Sequence, residues 1–99
     1  MVSKLTPEAR IEALASLPEW QEVEGRDAIR RVFTFPDFSA AWAFMSRAAL
    51  LAEAMDHHPE WFNVYAKVDV TLSTHDAGGL SQLDIKMATA MDSWAAAPR

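Results

Sequence analysis

Apolar positions recur along this chain in two periods, one near 3.6 residues and one of two, and the switches between them divide it into helices and strands. Thr6 before Pro7 reads as an N-cap with proline at the first helical position; Ile11, Leu14 and Ala15 form an apolar face, and Pro18 stops the helix. Trp20–Val23 and Ala28–Phe35 are extended runs joined by Glu24-Gly25-Arg26-Asp27, a polar link suited to a hairpin. Ile29, Phe33 and Phe35 share one face of the second run, and Arg31 interrupts it.

Asp37 is the N-cap expected for a longer helix, in which Phe38, Ala41, Trp42, Met45, Ala48, Ala49, Ala52 and Met55 recur at helical spacing. Phe44 and Leu51 widen this stripe beyond what one sheet face covers, so most of it is predicted to be core and the remainder to be free for a partner. Pro59 disfavours helical geometry at His58, which ends the helix near Met55 or Asp56 and puts His57 and His58 on its exit. Phe62–Tyr65 and Lys67–Ser73 read as strands, the second alternating Val68, Val70 and Leu72 with Asp69, Thr71 and Ser73; continuing that period puts His75 on the polar side. Gly78-Gly79 makes a turn, and Ser81-Gln82-Leu83-Asp84 is a capping box that opens a last helix with Ile85, Ala88, Met91 and Trp94 inward. The order of elements predicts an α+β fold, an antiparallel sheet with helices packed on it.

Composition narrows the function without naming it. A chain of 99 residues, 51% apolar and 23% charged, suits a single domain (1–99) with one packed core, for which oligomerisation is a natural supplement. The absence of cysteine excludes disulfides and thiolate metal sites and points to the cytoplasm. No apolar run has the length of a signal peptide core or a membrane span. With a net charge of -5 and scattered basic residues, the chain lacks the concentrated cationic surface that direct nucleic-acid binding requires. An uncharged or weakly charged small molecule fits better.

The three histidines, His57, His58 and His75, are the side chains that titrate near neutral pH. Three imidazoles suffice for a catalytic zinc, but adjacent histidines diverge in a helix and point to opposite sides in a strand, which argues against a metal. Ser73 and Ser81 lack the G-x-S-x-G elbow that presents a nucleophile. General acid/base chemistry by imidazole needs neither metal, cofactor nor nucleophile.

The segment Asp56-His57-His58-Pro59-Glu60-Trp61-Phe62-Asn63-Val64-Tyr65, followed by Val70 to Asp76 and by Gly79-Leu80-Ser81 to Asp84, resembles the signature of the pterin-4a-carbinolamine dehydratases. Trp20, Glu24 to Ile29, Phe33, Phe35, Asp37-Phe38, Phe44-Met45 and Arg47-Ala48 extend the resemblance upstream. The resemblance implies a four-stranded antiparallel sheet with three helices on one face, assembled as a homodimer or homotetramer. It implies dehydration of 4a-hydroxytetrahydropterin to quinonoid dihydropterin, recycling the cofactor of aromatic amino acid hydroxylases. It also implies catalytic roles for His57, His58 and His75, with Glu53, Asp56, Trp61 and Asp84 binding the pterin. His57, at a helix C-terminus that favours a protonated ring, is expected to be an acid, and His75 its complement. Two positions depart from the family pattern, Ala54 where a lysine is common and Leu83 where an arginine is. A second role implied by animal relatives is that of a dimerisation cofactor for a transcription factor, acting through the second helix.

Overall fold

A computed structural model describes residues 2–96. Its elements run α1 (Pro7–Ala15), β1 (Gln21–Glu22), β2 (Ile29–Thr34), α2 (Phe38–Met55), β3 (Glu60–Val64), β4 (Lys67–Leu72), one 3-10 turn (His75–Ala77) and α3 (Gln82–Ala96). The strands form one antiparallel sheet in the order β1-β2-β4-β3. This is the expected α+β architecture.

The sheet register follows from the period of two. Ile29 pairs with Leu72, Arg31 with Val70 and Phe33 with Val68, so the apolar sets of β2 and β4 fall on the same face. On that face α2 contributes Ala41, Phe44, Ala48 and Ala52, and α3 contributes Met87, Ala88 and Met91, to one buried cluster. Phe33 anchors it, 4.7 Å from Phe44 and 5.8 Å from Trp20 between ring centroids. Arg31 has the inward parity of its apolar neighbours. It is accommodated because its guanidinium lies 4.3 Å over the Phe33 ring and pairs with Asp92 of α3 at 2.7 Å.

Capping follows the sequence closely. Thr6 accepts from the amide of Ala9 and Asp37 from that of Ala40. In the capping box, Ser81 Oγ accepts the Leu83 N–H while the Asp84 carboxylate accepts that of Ser81.

Three expectations need correction. The face assigned to α1 does not form: Ile11 and Ala15 are exposed, and only Leu14 touches the core, because Leu17 beyond the helix fills that place. In α2, Phe38 and Trp42 stack outside the core, since Ala41, Phe44 and Ala48 are the residues that face the sheet. His75 does not end a strand; β4 stops at Leu72 and His75 opens the 3-10 turn, held by the reciprocal hydrogen bonds of Thr74 and Gly79.

Candidate active site

At the end of the sheet where α2 leaves and β4 stops, a cavity of about 580 Å³ is lined by His57, His58 and His75 together with Asp56, Arg26, Asp27, Glu60, Ser73 and Thr74. Its size is that of a small-molecule site. α2 ends with Asp56 in the left-handed conformation, φ 50°, and the amides of Asp56 and His57 return to the carbonyl of Ala52. That backbone cap aims His57 inward. Its ring is buried, and Nε2 lies 2.7 Å from Asp84 Oδ1.

Asp84 is fully buried and satisfied on every side. Oδ1 takes His57, while Oδ2 accepts the Thr74 hydroxyl at 2.7 Å and the Ser81 amide at 3.0 Å. Thr74 and Ser81 join their own hydroxyls at 2.6 Å. An acceptor-only carboxylate fixes the His57 tautomer with the proton on Nε2, so Nδ1 of the neutral ring is a proton acceptor. Among the described residues no buried side-chain nitrogen or oxygen lacks a hydrogen-bond partner, and His57 lines the cavity.

His58 is exposed at the rim, with Nε2 2.9 Å from Glu53 Oε1 one helical turn back. His75 is exposed and lines the same cavity. Arg26 crosses to Glu60 through two hydrogen bonds of 2.9 and 2.7 Å; these, against the opposing effect of burial, hold the Glu60 carboxyl below its usual range. Burial pushes the Asp27 carboxyl up, but the Leu80 amide, the Arg10 hydrogen bond and charge, and Lys4 outweigh it and hold the group below its ordinary value.

Of the seven residues expected at the site, the three histidines and Asp56 line the cavity. Glu53 and Asp84 stand behind it, each holding a histidine. Trp61 is outside the lining and packs on the core. Leu83 does line the cavity, so the departure at that position puts an apolar side chain in its wall. Arg26, Asp27, Glu60 and Thr74 were not anticipated. Asp27 and Glu60 belong to a turn and a strand start, and no local pattern sets such carboxylates apart from solvated ones. Among the described residues, no three His, Asp or Glu side chains converge as metal ligands, and no helix is long and apolar enough to cross a membrane.

Residues 3–94 match a family model described as pterin 4 alpha carbinolamine dehydratase. A relative in Bradyrhizobium diazoefficiens, provisionally named as such a dehydratase, is 61% identical over 92 residues, 93% of this chain and 92% of that one. Another, provisionally named likewise, in Rhizorhabdus wittichii is 60% identical over 94 residues, covering 95% and 97%. A crystal structure described as a transcriptional coactivator/pterin dehydratase from Brucella melitensis superposes with a TM-score of 0.90 at 56% identity, covering 94% of this chain and 99% of that one.

Proposed function

The chain belongs to the pterin-4a-carbinolamine dehydratase family, and from that premise we propose that it is a lyase that dehydrates 4a-hydroxytetrahydropterin to quinonoid dihydropterin. The observation that carries this reading is that His57, its Nε2 held by a buried Asp84, and His75 line one cavity. Elimination needs a proton delivered to the 4a-hydroxyl as the C4a–O bond breaks and a proton taken from the ring nitrogen. Neither step changes oxidation state, and two imidazoles in opposite protonation states supply both.

The geometry favours His57 as the base in the neutral tautomer that Asp84 selects, with His75 as the acid. This reverses the role that the end of α2 suggests for His57, and the reversal rests on the tautomer, since backbone amides cap α2 and the ring turns to Asp84. His58, braced by Glu53, and Asp56 hold the pterin at the rim. In the cell the reaction would recycle the cofactor of aromatic amino acid hydroxylases, in the cytoplasm and as a homodimer or homotetramer.

The test is a direct assay with 4a-hydroxytetrahydropterin generated in situ. His57→Ala and His75→Ala are each expected to lower turnover by on the order of 10²-fold or more while the protein stays folded; wild-type turnover in both would sink the assignment. A second reading, an interaction protein acting through α2, is favoured by the exposed Phe38, Trp42 and Leu50. Such a protein would keep its function without the histidines, so the same variants separate the two.

A further inference from the structure

Asp27 lies in the link between β1 and β2, far in sequence from His75, yet it holds both ends of the loop that carries that histidine. At the entry, Ser73 Oγ donates to the Asp27 backbone carbonyl at 2.9 Å. At the exit, the Leu80 amide donates to Asp27 Oδ2 at 3.1 Å. Between these points the loop is closed on itself by Thr74 and Gly79, so fixing its ends fixes His75.

The fit leaves no slack. A β-carbon on Gly79 would run into the Asp27 carboxylate, so glycine is required for the loop to approach it. The other carboxylate oxygen is held at 3.0 Å by Arg10 of α1, with Lys4 3.8 Å from Oδ2. Leu5 donates to the Leu80 carbonyl at 2.8 Å, so the segment before α1 lies on the same exit. This arrangement explains why α1 is retained although it buries no residue of its own: through Arg10 and Asp27 it is tied to the wall of the cavity.

We propose that Asp27 is a positioning residue for the dehydration, acting by clamping the Ser73–Leu80 loop so that His75 faces His57 across the cavity. The proposal rests on His75 being a reacting group. A misplacement of about 1 Å in a reacting group costs on the order of 100-fold in rate, so removal of one clamp bond is expected to show in kcat rather than in substrate binding.

The test uses the full-length Asp27→Ala protein beside the wild type. Turnover should fall about tenfold or more with KM within about twofold, the Leu80 amide should exchange faster, and the His75 ring signals should shift in NMR while those of His57, held by Asp84, stay in place. Gly79→Ala, which pushes the loop from the same side, should act in the same direction. Combined with Asp27→Ala it should add less than it does alone, because the two closest contacts, both with the carboxylate, are gone and only the β-carbon at 3.1 Å remains. Where Asp27→Ala does not fold, Gly79→Ala, which displaces the loop and leaves Asp27 in place, carries the test. Turnover within about twofold of wild type in a folded variant, or unmoved His75 signals, would overturn the proposal. Absence of dehydratase activity in the wild type itself would instead fail the functional reading, while the exchange and ring signals still report the clamp.

Discussion

Asp84 shows how one residue can serve folding and chemistry together. Its carboxylate completes a helix cap, accepts from Thr74 and sets the tautomer of His57, all with no solvent exposure. Removing it leaves several buried donors unsatisfied, which costs far more than the net worth of one hydrogen bond. Asp84→Ala is therefore expected to destabilise the fold by on the order of 3 kcal/mol, measurable by urea unfolding. Asp84→Asn keeps the shape but can present an N–H to the ring, so it should lower turnover more than it lowers stability. The histidines themselves were legible as a cluster from their spacing. What each would touch was not, because Asp84 stands 27 positions from His57.

At the scale of elements, local signals served best where the interaction is local. The Thr6, Asp37 and Ser81 caps all form as their motifs require, since each bond closes within three residues. Asp37→Ala should cost about 1 kcal/mol, or roughly 5 °C in Tm for a chain of this size, and thermal unfolding would measure it. Such a change should leave turnover at the assay temperature intact, because the opposite end of α2 presents the histidines. Strand faces were equally readable, and Arg31 was visible as the position where the period breaks. The element that misled was α1, of whose apolar face only Leu14 reaches the core and which is tied down besides by ion pairs of Arg10 with Glu22 and Asp27.

Across the whole molecule, the ion pairs around the cavity tie together segments that the core does not join. Asp27 and Glu60 both have carboxyls held below their ordinary values in the fold. A group depressed in this way binds fewer protons folded than unfolded, so it contributes stability above its unfolded pKa and loses it as pH falls through the folded value. Stability should hold from neutral pH to about 5 and decline below that. Unfolding measured at both ends of this range should show a smaller loss for Asp27→Asn than for the wild type; an equal loss would remove Asp27 as a contributor. By itself the sequence determined the α+β class, the inward faces of the strands, the helix caps and the identity of the histidines, because these follow from periods and bonds a few residues long. The tertiary structure alone decided that Asp84 lies behind His57, that Asp27 and Arg10 hold the loop of His75, and that this loop is a 3-10 turn rather than a strand end. Those features depend on which segments meet after the sheet closes, and side chains brought together from positions 10, 27, 57, 75 and 84 leave no periodic trace in the chain.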